Sequence, residues 1–226
     1  MENQFVTLNY QNKLLAFMVR PKYTDQRDGR CIDIQVLKEI YGENVYRLTP
    51  EMFQNGSGIM IDLGANIGAV GVMAKALGAK EVISVEPNAD NIKSLLFNFQ
   101  ENGYQTTLVT RAVSDISGKT ISINDDAGNS KTNSEGTGQS VETITLAELI
   151  GDQQIDVLKI DVEGDEWRIL LSTPIEKLKQ IRQITLEFHE IDADTFGRTT
   201  ALLSQGFVVE TIGSHERGGF INARRY

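Results

Sequence analysis

The sequence predicts an α/β fold: a doubly wound, mostly parallel seven-stranded sheet whose last strand is antiparallel, with an N-terminal hairpin and helix as a cap. Three observations carry this expectation. From residue 59 onward, short apolar runs alternate with amphipathic helical stretches, the pattern that lays helices on both faces of a parallel sheet. A glycine-rich turn, "DLGANIGAVG" (62–71), follows the first of those runs, where such a fold bends from strand to helix. The chain then finishes with two strand-like runs, 207–212 and 219–226, with no helix between them, which suits antiparallel pairing.

The elements follow in order. "FVTLNYQNKLLAFMV" (5–19) predicts a β-hairpin turning near Gln11 and Asn12. Ile32, Val36, Leu37, Ile40 and Tyr41 recur at helical spacing. Residues 1–57 are short for an independent core, so they read as a cap on a core of 58–226 within one domain. "IMIDL" (59–63) is a buried strand, 69–77 a helix and "EVISVE" (81–86) a second strand. The next helix carries Ile92, Leu95, Leu96 and Phe99 on one face and stops at Asn102 and Gly103. "TTLVT" (106–110) is a third strand.

Residues 124–140 are almost devoid of apolar side chains and rich in Gly, Ser and Asn, which predicts a polar, mobile loop. It reads equally well as a surface excursion or as a lid over a substrate. Regular signals then resume: helix 146–150, strand 155–160, helix 164–171, strand 183–188, and helix 192–204 stopped at Gly206.

Composition narrows the function. With 226 residues, 40% hydrophobic and 23% charged, the chain has the makeup of an ordinary globular domain. No apolar run approaches the roughly 20 residues that span a bilayer. "MENQFVTLNY" lacks the layout of a signal peptide, so a cytoplasmic location is expected. Cys31 is the sole cysteine, which rules out an intrachain disulfide and a thiolate metal cluster. The net charge of −9 disfavours nucleic acid and anionic membranes as partners and suits a cationic or neutral ligand.

The glycine turn separates cofactor classes. Gly64 and Gly68 permit tight turning, and Asn66 is the non-glycine type that best tolerates a left-handed backbone. A helix beginning near Ala69 points free N–H groups at the turn, ready for a carboxylate or phosphate. A dinucleotide fingerprint wants a glycine at the position Asn66 occupies, where a side chain crowds the pyrophosphate. No Lys-Ser/Thr pair follows, so a P-loop is excluded. A cofactor with a nucleoside and a carboxylate but no phosphate fits better, and S-adenosylmethionine is that molecule. Glu86, 22 residues after Gly64 at the end of the second strand, stands where a carboxylate accepts both ribose hydroxyls.

Several stretches occur in a recognisable order: "FMVRP", "KEIYGENVYRL", "IDLGANIGAVGV", "VEPNADNI", "RAVSD", "DVLKIDVEGDEWRIL" and "LEFH". With them the chain resembles the FkbM family of S-adenosylmethionine-dependent methyltransferases. The pairing of "GANIG" with "LKIDVEGDE", and "AVSD" between them, is the specific part. The resemblance implies the class I methyltransferase sheet of seven strands. It sets Gly64, Ala65, Asn66 and Gly68 against the methionine half of the cofactor and Glu86 at the ribose. Pro87 and Asn88 come beside the adenine, and Ala112, Val113 and Ser114 along its edge. Asp62, inside the first motif, and Asp161 complete the cofactor set. The activity implied is O-methylation of a hydroxyl on a sugar, a glycan or a small metabolite.

Methyl transfer to an alcohol needs a base for the acceptor's proton. Asp161 ends the fourth strand and Glu163 follows it. Glu187 and His189 end the fifth strand and point to one side by alternation. Asp161, Glu163, Glu187 and His189 are therefore the candidate catalytic residues. Asp165 and Glu166 read as first-turn acids favoured by the helix dipole. Lys159 is either a buried partner of these carboxylates or turned out to the helical layer. Asp161, Glu163, Glu187 and Glu190 are possible oxygen ligands for Mg²⁺ or Ca²⁺, but no calcium-hand spacing is present and no metal is expected. Two other classes compete: a nucleotide-dependent oxidoreductase, disfavoured by Asn66, and a non-catalytic module, disfavoured by the intact acidic rim.

Overall fold

Strands β1 (Gln4–Tyr10) and β2 (Lys13–Val19) pair antiparallel. Gln11 and Asn12 turn between them at φ 50° and 61°, the left-handed pair of a tight two-residue hairpin. The structure, a computed structural model, describes residues 4–25, 28–123, 132–133 and 138–225. Helix α1 (Ile32–Leu37) runs directly into a π-helical turn, Lys38–Glu43, and α2 (Glu51–Gln54) leads to the core.

The core begins β3 (Ile59–Leu63), α3 (Ala69–Ala76), β4 (Glu81–Val85), α4 (Ala89–Glu101), β5 (Thr107–Val109). It continues through β6 (Ala112–Ser114), β7 (Thr120–Ile123), β8 (Thr132–Asn133) and β9 (Gln139–Thr145). Next come α5 (Leu146–Ile150), β10 (Ile155–Ile160), α6 (Glu166–Ser172), α7 (Ile175–Leu178) and β11 (Ile181–Phe188). The last elements are α8 (Ala193–Leu203), β12 (Phe207–Ser214) and β13 (Gly218–Arg225).

The main sheet has seven strands in the order β12-β13-β11-β10-β3-β4-β5. Its neighbours pair parallel except at β13, which runs antiparallel to both β11 and β12. The last strand is thus the antiparallel one, as its direct connection to β12 requires. The chain leaves β3 toward β4 and β5, then returns to β10 on the other side. This reversal opens a crevice at the carboxyl ends of β3 and β10.

Both faces of the sheet are covered, which is why all six residues of β10 are buried. Met60, Val82 and Val157 face one apolar cluster with α3, α4 and the cap residues Leu15, Phe17 and Val19. Ile61, Ile83, Leu158 and Ile184 face the other, with Trp167, Leu170 and Leu203. The hairpin is stitched to α4 by side chains. Asn98 Oδ1 accepts from Met18 N at 2.6 Å and Asn102 Oδ1 from Ala16 N at 2.9 Å.

A second, four-stranded sheet departs from the sequence reading. Its order is β6-β9-β7-β8, with β6 parallel to β9. "AVSD" is therefore partly strand, and Gln139 and Ser140 belong to β9 instead of a loop. In β9, Val141 and Thr143 are buried and Glu142 is exposed, a period of two masked by the polar composition around it. The remainder of the expected loop, 124–131 and 134–137, lies outside the described residues. The helix expected over 164–171 starts at Glu166, because Glu163 and Gly164 turn the chain at φ 60° and 114°. Among the described residues, no helix is long and apolar enough to cross a membrane.

Candidate active site

The glycine turn is shaped by what surrounds it. Gly64 N and Ala65 N both donate to Val85 O, at 3.0 and 3.1 Å, tying the exit of β3 to that of β4. Gly64 has φ 72°, and a Cβ there would come within 1.8 Å of the Asp161 carbonyl oxygen. Only glycine lets the exits of β3 and β10 approach so closely. Asn66 adopts φ 48° and its N–H donates to Glu86 Oε2 at 2.8 Å. Gly68, at φ 81°, caps α3.

Glu86 is 4% exposed. Its Oε1 accepts from Asn88 N at 2.9 Å and from Asn91 Nδ2 at 3.2 Å. Burial pushes the carboxyl pKa up, while these donors pull it down.

A cleft opens in front of this turn. Gly64, Ala65, Asn66, Glu86 and Pro87 form one side, and Arg111 with Ala112, Val113 and Ile123 of the small sheet closes one end. Lys159, Asp161, Glu163, Asp165 and Glu187 form the far rim, and the cap residues Ile32, Val36, Glu39, Ile40, Val45 and Tyr46 roof it. Other sequence-predicted residues stand outside this lining. Asp62 is fully buried beneath the turn, 3.4 Å from Lys159 Nζ. Asn88 caps α4, its Oδ1 accepting from Asp90 N and Asn91 N. Ser114 Oγ bonds its neighbour Asp115 at 3.0 Å on the surface. His189 stands behind Glu163, and Glu190 is not in the lining.

Lys159, left open by the sequence, is a buried member of the site. Its Nζ donates to Gly64 O at 2.8 Å and Leu63 O at 3.2 Å, and lies 3.5 Å from Asp161 Oδ2. Burial works to lower its pKa, but Asp161, Asp62 and Glu187 outweigh that and raise it. The ammonium is therefore retained, seated over the Tyr46 ring at 5.4 Å.

Tyr46 is the residue that sequence reasoning missed. It enters from the cap, is 5% exposed, and stands edge-on to Phe220 with centroids 5.9 Å apart. Its hydroxyl lies 3.0 Å from Asp161 Oδ2 and 3.1 Å from Glu187 Oε2. The available signal was its place inside "KEIYGENVYRL", but a tyrosine far away in sequence carries no spacing that points to a rim.

The four catalytic candidates do not share one environment. Burial first, and the Asp161 charge second, push both Glu163 and Glu187 up to about 7. His189 lies 3.3 Å from Glu163 Oε2 and 3.4 Å from Glu166 Oε1. Its contact with Glu166 is the main cause that raises it to about 9, against burial.

Glu166 corrects the helix-dipole reading. It does begin α6, but it is fully buried. Its Oε1 accepts from Val162 N at 3.3 Å, and both its oxygens accept from Gly164 N at 3.0 Å. It grips the loop that presents Glu163. Asp165, expected in the first turn, is instead the N-cap of α6, 3.6 Å from Arg168, and also faces the cleft. Among the described residues, no group of three or more His, Cys, Asp or Glu is arranged to hold a metal ion.

Comparison with known proteins adds to this geometry. Residues 62–209 match the family model described as Methyltransferase FkbM domain. The 31-O-demethyl-FK506 methyltransferase FkbM of Streptomyces tacrolimicus is 37% identical over 79 residues, which is 32% of this chain and 30% of that protein. The chain thus spans under a third of the length of the curated relative it matches. An rRNA methylase from Streptococcus thermophilus superposes with a TM-score of 0.54 at 10% identity, covering 82% of this chain and 95% of that one. An O-methyltransferase family protein from Burkholderia thailandensis gives 0.50 at 9% identity, covering 84% and 56%. At such identities the two structures share the fold.

Proposed function

The chain belongs to the FkbM methyltransferase domain family, and from that premise we propose that it transfers a methyl group from S-adenosylmethionine to a hydroxyl of a sugar, a glycan or a small metabolite. The observation that carries this reading is the pair of cleft carboxylates, Glu163 and Glu187, each raised to about 7 beside Asp161. A base is most effective when its pKa lies near the working pH.

The residues present suit the cofactor. Ala112, Val113, Ile123 and Pro87 offer a small apolar enclosure for a purine. The rim acids suit a cationic sulfur. Glu86 Oε1 already takes two donors and Oε2 one, so the room for a ribose hydroxyl is on Oε2. This narrows the expectation that Glu86 accepts both ribose hydroxyls to one hydroxyl at Oε2. A pyrophosphate cofactor would instead meet the Asn66 side chain, which weighs against the oxidoreductase reading.

When bound, the cofactor supplies a methyl group on a cationic sulfur, already activated for displacement. The chain's own residues do the rest. Lys159 holds the Gly64 and Leu63 carbonyls and so fixes the turn. Tyr46 and Lys159 both engage Asp161 Oδ2, which holds that side chain in place at the rim. Glu163, held at φ 60° by the grip of Glu166 on its loop, faces the cleft and takes the acceptor's proton. His189, 3.3 Å from Glu163 Oε2, orients Glu163 in this reading.

Calorimetry with S-adenosylhomocysteine and with NAD tests the cofactor. Binding of the first is expected; binding of NAD alone would overturn the proposal. For the base, Glu163→Gln should lower turnover by roughly 10²–10⁴ while S-adenosylhomocysteine affinity is kept. Full turnover in that variant would return the role to Glu187.

A further inference from the structure

The cap carries a buried cation that the proposed reaction does not use. Arg20, at the end of β2, is 4% exposed. Its backbone N and Nε both donate to Asp33 Oδ2, at 2.7 and 2.9 Å, and Nη2 donates to Asp33 Oδ1 at 2.8 Å. Two further bonds cross into the core. Nη1 donates to Asn91 Oδ1 at 2.6 Å and Nη2 to Asn66 Oδ1 at 3.3 Å. Each of these asparagines also donates to Glu86: Asn66 N to Oε2, and Asn91 Nδ2 to Oε1 beside the Asn88 N–H.

The geometry points to Arg20 as a positioning residue that sets the Glu86 carboxylate for the ribose, a role that rests on the cofactor reading above. A guanidinium has donors and no acceptor, so each asparagine must turn its amide oxygen toward Arg20. For Asn91 this leaves Nδ2 aimed at Glu86 Oε1. A flipped amide would set two oxygens against one another. For Asn66 the bond holds a non-glycine residue at φ 48°, with its N–H directed at Oε2. One guanidinium thereby reaches both carboxylate oxygens through two short relays, with the Asn88 N–H as a further donor to Oε1.

Packing alone does not account for this arrangement. A buried Arg–Asp pair is often no better for stability than apolar residues of the same volume. What apolar residues could not reproduce is the enforced orientation of two amides. Arg20 comes from the segment before the core, so the cap takes part in building the ribose site as well as covering it.

The test measures S-adenosylhomocysteine and its 2′,3′-dideoxyribose analogue by calorimetry, with the native chain, Arg20→Lys and Asn91→Leu. Lysine keeps the charge but cannot reach Asp33, Asn91 and Asn66 together. Asn91→Leu leaves the Arg20–Asp33 pair intact and removes one relay, so it carries the test if Arg20→Lys does not fold. Both variants should bind S-adenosylhomocysteine roughly ten- to a hundredfold more weakly and bind the dideoxy analogue as the native chain does. Cofactor KM should rise while kcat and acceptor KM hold. Unchanged affinity, or equal weakening for both ligands, overturns the role of Arg20. A native chain that binds no S-adenosylhomocysteine removes the cofactor reading itself, an outcome visible before any variant is made.

Discussion

Tyr46 places its hydroxyl 3.1 Å from Glu187 Oε2 while the same oxygen lies 3.0 Å from Asp161 Oδ2. Burial first, then the two carboxylates, push the phenol well above its usual 10, so it keeps its proton. The hydroxyl is within donating distance of both carboxylates, and its contact with Glu187 pulls that carboxyl down against burial and the Asp161 charge, which together hold it at about 7.

Tyr46→Phe therefore tests the bridge. The hydroxyl lowers the Glu187 pKa, so its removal should move that group further up. With Glu187 neutral over more of the range, its charge no longer helps to raise Glu163, so the acid limb of the kcat/KM profile that Glu163 sets should shift to lower pH. An unmoved acid limb would show that the bridge does not influence the ionisation that governs rate.

The same carboxylates set a pH dependence of stability. Glu163 and Glu187 are raised from 4.5 to about 7 in the folded chain. Between those values the native state binds more protons than the unfolded state, so stability falls as pH rises through the window. Glu187→Gln should remove much of its share. Its Tm should exceed that of the native chain at pH 8, by about 2–4 °C for each kcal/mol, and the difference should close near pH 5. Site acids commonly oppose stability in this way. A native Tm that rises from pH 5 to pH 8, with the variant following it, contradicts this account.

Glycines at positive φ are not equivalent. Gly64→Ala places a Cβ within 1.8 Å of a backbone carbonyl, whereas Gly103, at φ 70°, has nothing within 4 Å of its Cβ position. Gly103→Ala should cost only the local conformational strain of a left-handed alanine, about 1–2 kcal/mol. Gly64→Ala should cost more and also abolish S-adenosylhomocysteine binding, because the β3 and β10 exits must separate. Urea unfolding of both variants, with calorimetry, distinguishes them. Retained binding in Gly64→Ala would mean that the turn can relax without loss of the site.

How much of this was legible before the structure follows from the range of each signal. Strand β10 was visible because Ile155, Val157, Leu158 and Ile160 crowd four apolar side chains into six residues, even with Asp156 and Lys159 among them. The left-handed Asn66 was visible because few residue types tolerate that backbone. Strand β9 was obscured by the polar stretch before it, although Val141 and Thr143 alternate with Glu142. Long-range partners were the least legible. Nothing local in "KEIYGENVYRL" says that Tyr46 ends between Asp161 and Glu187. Likewise, the acid-rich "EGDEW" does not say that Glu166 is fully buried while Asp165 stands half-buried at the cleft. Those outcomes are decided by which backbone N–H groups need an acceptor once the chain has turned at Gly164.

Lys159 offers the sharpest test of the buried electrostatics. Its ammonium is 3.4 Å from Asp62 Oδ1 and 3.5 Å from Asp161 Oδ2, and it holds the carbonyls of Leu63 and Gly64. Asp62 is fully buried, so Lys159→Met would leave its carboxyl without the charge that compensates it. Breaking one side of such a pair costs about 3–5 kcal/mol, and burial should then drive Asp62 to its neutral form. Adding Asp62→Asn to Lys159→Met should restore a large part of the loss, since a neutral amide needs no counter-charge. Denaturation of the two single variants and the double gives the coupling energy directly. Additive losses would show that Asp62 is not held by Lys159, leaving the two Gly64 and Leu63 carbonyl bonds as the reason for a lysine at this position.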